Sequence, residues 1–203
     1  AEEWNPRMAN HRVYRYRLEG LEFWKYPGDD FIEWLKMFEG TYNATNFARV
    51  EEGKNPMRTI LSCQPWIVEG RTVGFEIIGE AFLWNQVRRT AMAIHRMCIG
   101  EISPYDVKQA IEHPEKEADF GVAPADWLIL WGVDWDEMEL PESQNQIRCF
   151  TEPPTGPAVE RTMRKRWRDG ARHEMKSLLY HEWAVLGELP IVRHTTINSG
   201  EPE

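Results

Sequence analysis

The sequence predicts an α+β fold: a mostly antiparallel sheet with helices packed on one face, plus a helical C-terminal extension. Three observations carry this reading. The stretch "RVYRYRLE" alternates in the manner of a half-buried strand. The runs "TILSCQPWIVEG" and "RTVGFEIIGEAF" read as two strands joined across Glu69–Gly70, a dipeptide suited to a tight hairpin turn. The elements then follow as strand, helix, strand, strand, helix, helix, strand, an order that an antiparallel sheet with helices on one side accommodates.

In the first strand, Tyr14, Tyr16 and Leu18 share one face, and Val13, Arg15 and Arg17 share the other. In "PGDDFIEWLKMFEG", Phe31, Trp34, Leu35 and Phe38 recur at helical spacing; Asp29 or Asp30 caps the start and Gly40 ends it. "TYNATNFARVEEGKNPMRT" is polar and turn-rich and reads as a loop. Val73, Phe75 and Ile77 line one face of the second hairpin strand. A helix over 83–99 follows, with Val87, Ala91, Ile94 and Cys98 as its inner stripe and Gly100 as its stop. "SPYD" opens the next helix: Ser103 caps it, Pro104 fills the first turn, and Asp106 completes a capping box. Val107, Ala110 and Ile111 form its apolar face. "EHPEKEADFGVAP" is a loop, and "DWLILWGVDW" from Asp126 is a strongly hydrophobic strand.

The composition turns polar near Glu137. "DEMELPESQNQ" reads as a linker and "PPTGP" as a second break, so the chain divides into residues 1–140 and a helical extension, 141–203. The extension predicts a helix over 158–183. Met163, Trp167, Ala171, Met175 and Leu178 give it one apolar face, while Arg161, Arg164, Lys165, Arg166, Arg168 and Arg172 make it basic. The tail after Pro190 is expected to fray.

The 203 residues, 42% of them hydrophobic, suffice for one large domain or two small ones. A formal charge of -9 excludes a protein held to nucleic acid by bulk charge alone, but not a basic groove on an acidic body. The three cysteines (Cys63, Cys98, Cys149) show no paired metal spacing, and their odd number fits a reducing compartment. No secretion signal or long apolar run is present, so a cytoplasmic location is expected.

Few residues invite a chemical role. On the helix at 83–99, Arg88 borders the buried stripe, close in angle to Trp84 and Ala91, whereas Arg89 groups with Asn85 and Arg96. A half-buried guanidinium needs a carboxylate, a phosphate or several carbonyls. A structural salt bridge, a site role and simple exposure all stay open for Arg88. Tyr14 and Tyr16 are either core rings or rings at a ligand site. The basic run is either the wet face of an amphipathic helix or a phosphate-contacting surface. Asp134 and Asp136 either pair or form a solvated strand end. His95 and Cys98 are neighbours on a helix, but the scattered histidines complete no metal set. Neither a phosphate-binding glycine loop nor a dinucleotide fingerprint occurs, and no nucleophile motif does either.

Five landmarks across roughly residues 11–135 resemble, in order, the TruA-type tRNA pseudouridine synthases. "HRVYRYRL" resembles their R-x-Y-R-Y strand, "FEGTYNATNFAR" their F-x-G-x-H-x-F-x-x-F segment and "MRTI" their x-R-T-I strand start. "GEAFLWNQVRRTAMAIHRMCIG" is similar to x-x-F-L-x-x-M-V-R-x-x-V, and "VAPADWLILWGVDW" to A-P-x-x-G-L-x-L-x-x-V-x-Y. The resemblance implies isomerisation of an N-glycosidic uridine to a C-glycosidic one in the anticodon arm of tRNA, with neither metal nor cofactor. The family's active-site tyrosine matches Tyr14. Its arginine, which pairs with the catalytic aspartate, matches Arg88. RNA contact is expected from Arg161, Arg164, Lys165 and Arg168, and the family implies a homodimer with tRNA lying over both subunits.

The departures from the family pattern are equally specific. Its G-R-T-D-x-G-V-H motif, which carries the catalytic aspartate, precedes the tyrosine strand; here "GRT" occurs only at 70–72, after that strand and followed by Val73. Asn43 stands for the family's histidine, Gln86 for its methionine and Trp127 for the glycine before L-x-L. The chain therefore reads as the C-terminal half of such a synthase, inactive alone and completed by an N-terminal half that bears the aspartate. A non-catalytic RNA-binding module on the same fold is the alternative; a protein-interaction domain built on the 10 tryptophans is the third class.

Overall fold

A computed structural model describes residues 9–134, 150–154 and 161–188. The "DEMELPESQNQ" linker, Asp136, most of "PPTGP" and the tail lie outside the described residues.

The elements are β1 (His11–Tyr16), α1 (Asp30–Lys36), β2 (Gly40–Asn43), β3 (Met57–Val68), β4 (Arg71–Gly79), α2 (Gln86–Cys98), α3 (Pro104–Glu112), β5 (Leu128–Asp134) and α4 (Arg161–Glu188). The strands form one sheet in the order β2-β3-β4-β1-β5, and every neighbouring pair is antiparallel. Helices cover one face, and α4 lies beyond the sheet, as the α+β reading expected. On the covered face Tyr16, Cys63, Phe75 and Ile77 are buried against Phe31, Leu35, Phe38, Ala91 and Ile94. No helix among the described residues is long and apolar enough to cross a membrane.

The β3–β4 hairpin turns at Glu69 and Gly70, with φ of 49° and 77°. Positive φ at both centres is what a turn matching the strand twist demands, and only glycine takes it without steric cost. Gly74 meets a different demand. A side chain there would place its Cβ 1.8 Å from the Tyr16 carbonyl oxygen. β4 therefore approaches β1 closely because this position has no Cβ.

The capping box at α3 is present as expected: Asp106 N donates to Ser103 Oγ, and Ser103 N donates back to Asp106 Oδ2. Four expectations need correction. Gly40 does not end α1; the helix stops at Lys36, and Gly40, at φ 102°, opens β2. The segment read as a loop contains β2, recruited by the edge of β3, with Thr41 and Thr59 paired across it at 3.0 Å. The last strand begins at Leu128, after a short 3₁₀ turn, Ala125–Trp127. Met163 is 51% exposed, because the first turns of α4 project past the apolar surface that takes Ala171 and Met175.

Arg17 is the largest departure from strand periodicity. Alternation placed it with Val13 and Arg15 on the face opposite Tyr16, yet it is fully buried as Tyr16 is. It donates to Glu19, Glu174 and the carbonyls of Ala171 and Thr151, and lies over the Phe150 ring. Arg71 also pairs with Glu19. This buried network joins α4 and residues 150–151 to the end of β1.

Candidate functional site

Tyr14 sits in the middle of β1, opposite Ile77 on β4 and Leu130 on β5. Its half-buried ring meets Phe82 edge-on, with centroids 5.1 Å apart at 84°. Burial raises its phenol pKa, and the Arg12 guanidinium opposes that rise. The hydroxyl is thus a protonated donor at neutral pH. Two residues on, the Tyr16 hydroxyl donates to Pro124 O at 2.8 Å. Burial raises this phenol much further, with Arg88 opposing the shift and Asp126 adding to it.

Arg88 lies in the first turn of α2. Its Nε donates to Ala123 O at 2.6 Å, and Ala123 N donates to Arg88 O at 3.2 Å. Its Nη1 donates to Asn85 Oδ1 at 3.0 Å. The adjacent carbonyls of Ala123 and Pro124 therefore hold Arg88 and Tyr16 side by side, tying α2 to β1. Asn85 precedes the helix at φ 60°, ψ 9°, a left-handed conformation that asparagine tolerates better than most residues. Gln86 Oε1 accepts from Leu83 N at 2.9 Å. Segment 82–86 is thereby fixed, with Phe82 against Tyr14 and Asn85 against Arg88.

Two of the five guanidinium N–H donors of Arg88 are used in these bonds, and neither goes to a carboxylate. Among the described residues Arg88 forms no ion pair. Arg89 differs: its Nη1 meets Asp119 Oδ1 at 2.8 Å. The two adjacent arginines thus divide between a structural ion pair and a cation fixed by carbonyl oxygens. Arg88 makes neither a hydrogen bond nor a ring contact with Tyr14. Their link runs through Phe82 on one side and Tyr16 with the 123–124 peptide on the other.

A rigid fork of this kind can orient a carboxylate or a phosphate, and the Tyr14 ring offers a face to a planar ligand. Sequence reasoning missed Asn85, Phe82 and the two carbonyls. Asn85 was accessible in principle, three residues before Arg88 at a helix start. The carbonyls left no local signal: that of Ala123 is 35 residues from Arg88, and that of Pro124 is 108 from Tyr16.

The remaining expected residues lie on α4. Arg161, Arg164 and Lys165 are exposed and form no ion pair among the described residues. Arg168 is bound to Glu22 at 2.7 Å. Asp134 meets His11 Nδ1 at 3.4 Å.

The family model of the tRNA pseudouridine synthases matches residues 35–136, about half of the chain. The chain belongs to this family. The synthase of Methanocorpusculum labreanum named tRNA pseudouridine synthase A is 30% identical over 148 residues, covering 71% of this chain and 50% of the relative. The proteins of the same name from Thermococcus sibiricus and Bacillus subtilis are 27% and 34% identical, covering 91% and 63% of this chain. They are covered over 63% and 48% of their own lengths, so this tRNA pseudouridine synthase family member spans about half to under two thirds of the curated relatives it matches. Arg88 lies inside the span matched by the family model; Tyr14 and α4 lie outside it.

Proposed function

We propose that this chain is the uridine-isomerising half of a tRNA pseudouridine synthase, acting on the anticodon arm of tRNA in the cytoplasm. Residues 1–140 would form the catalytic half and 141–203 an extension with an RNA-facing helix. The observation that carries the reading is Arg88: a guanidinium fixed at Nε and Nη1, with no carboxylate partner among the described residues. It fits the role of receiving an aspartate. The 203 residues contain no G-R-T-D motif. The carboxylate is therefore assigned to a segment outside them, and these residues alone are expected to be inactive.

In the reaction the C1′–N1 glycosidic bond breaks, a C1′–C5 bond forms, the C5 proton leaves to solvent, and the freed N1 takes up a proton from solvent. A carboxylate that acts on the flipped nucleotide must stay ionised and aimed, which a fixed positive fork provides. Tyr14 would stack on the flipped base, with its protonated hydroxyl free to donate. The family resemblance also assigns a homodimer with tRNA across both subunits.

The test is tritium release from tRNA carrying C5-tritiated uridine. The chain alone should release none, and addition of an N-terminal segment bearing G-R-T-D should restore release. In the mixture Arg88→Ala should reduce the rate by roughly 150- to 5000-fold, the equivalent of stranding one partner of a buried ion pair. Full activity of Arg88→Ala would overturn the assignment. No release from either preparation, with tRNA still tightly bound, would favour the non-catalytic RNA-binding module, which Arg161, Arg164 and Lys165, in no ion pair among the described residues, support.

A further inference from the structure

The stretch Phe23–Lys25 has no part in the Tyr14–Arg88 cluster, yet its construction is unusual. Phe23 is 67% exposed and has φ 61°, a conformation that bulky residues rarely adopt. Such an outlier persists where surrounding structure imposes it, often at ligand sites. Trp24 anchors one edge on Phe31, with centroids 5.8 Å apart at 70°, and remains partly exposed. Lys25 is exposed beside it.

These three residues face the first turns of α4 across a cavity of about 560 Å³, whose opposite wall includes Arg161, Arg164 and Trp167. That volume is in the range of pockets that hold a small molecule or one nucleotide. Trp167 donates its Nε1 to Thr151 O at 3.0 Å, so its ring is a fixed wall with its polar atom satisfied. Both carboxylates in the lining are already neutralised: Glu19 by Arg17 and Arg71, Glu22 by Arg168. Lys25, Arg161 and Arg164 pair with no carboxylate of the described residues. A chain with a net charge of -9 has therefore gathered, around three aromatic rings, three cations with no carboxylate partner among the described residues.

We infer that this cavity binds an unpaired nucleotide of an RNA, its base among Phe23, Trp24 and Trp167 and its flanking phosphates against Lys25, Arg161 and Arg164. The inference rests on the RNA-acting reading above and adds a second contact to it, separate from Tyr14 and Arg88. A duplex would offer its phosphates to the cations but keep its base faces stacked, leaving the rings unused. A single strand presents both the charge and the π face.

The test is fluorescence anisotropy of labelled probes with the whole chain: an eight-nucleotide oligouridylate, an RNA duplex of similar charge, and an oligoglutamate of similar charge. The oligouridylate should bind most tightly. Phe23→Ala and Trp24→Ala should each weaken it by about 5- to 100-fold, the range for losing one stacked base, without changing the salt dependence. The double variant Arg161→Ala/Arg164→Ala should instead reduce the slope of log K against log salt by about 1.4. Phe23→Ala keeps the test decisive if Trp24→Ala unfolds, because the exposed Phe23 side chain supports no core. Equal binding of strand and duplex, with Phe23→Ala neutral, overturns the nucleotide pocket and leaves the RNA-acting reading intact. Preference for oligoglutamate overturns it in favour of an acidic peptide. If no RNA binds at all, the nucleotide pocket falls, and tritium release in the mixture with the N-terminal segment decides the RNA-acting reading separately.

Discussion

Replacing Arg17 by methionine tests how the C-terminal helix is held. The Arg17 side chain has no solvent exposure. Its Nε meets Glu19 at 3.1 Å; Nη1 meets Glu174 at 2.7 Å and Ala171 O at 3.3 Å; Nη2 meets Thr151 O at 3.2 Å. Methionine keeps much of the apolar stem over Phe150 and removes all of these bonds. Glu19, 3% exposed, is then left with Arg71 as its only cation among the described residues. Glu174 keeps a bond from Thr151 N at 3.1 Å and is partly open to water. Removing one partner of a buried ion pair costs about 3–5 kcal/mol. The surviving Arg71–Glu19 pair places this case near the lower end, at about 3 kcal/mol. Set against a total of roughly 5–15 kcal/mol, that is a large share of the stability. Urea unfolding followed by tryptophan fluorescence and circular dichroism measures it. The double variant Arg17→Met/Glu19→Gln should recover part of the loss, since the buried carboxylate charge is gone. A loss below about 1 kcal/mol for the single variant would refute the buried network. A double variant no better than the single one would refute the stranded-charge argument.

Two further predictions concern the frame and its pH response. Gly74→Ala should destabilise the fold by about 1–3 kcal/mol or more, because the added Cβ would meet the backbone of Tyr16 and Leu18, which cannot rotate away; an unchanged thermal midpoint would refute the close approach of β4 to β1. His95 is buried, and burial lowers its pKa against the opposing influence of Glu101 and the Glu22 backbone. Its folded pKa thus lies below the unfolded value of about 6.5. The stability contributed by the neutral ring is present above that value and is lost as pH falls below it toward the folded pKa. Thermal melts between pH 7.5 and 5.5 should show the wild type losing more stability than His95→Gln, by at most about 1.4 kcal/mol per pH unit for one proton. Parallel pH profiles would contradict this.

Signals confined to a few neighbouring residues were legible in the sequence. The hairpin at Glu69–Gly70, the Ser103–Asp106 box, and the buried stripe of Val87, Ala91 and Ile94 all formed as read. Each depends on local geometry: turn dihedrals, a cap three residues away, or the 3.6-residue period. The family landmarks are of the same kind, being short runs of neighbouring residues.

Pairings between distant segments were decided only by the tertiary structure. Thr41 and its neighbours carry no strand signal; they became β2 because β3 offered an unpaired edge to bond. Arg17, just past the end of β1, departs from the alternation and is buried, because a helix more than 150 residues later supplied Glu174 and a carbonyl. Arg88 and Arg89 are chemically identical neighbours. One met Asp119 and the other met Ala123 O because the chain from 119 to 124 passes both. Sequence period sets which way a side chain leaves the backbone. What it meets there depends on segments brought in from elsewhere, and for a charge desolvated by burial that partner determines whether it is structural or free to act.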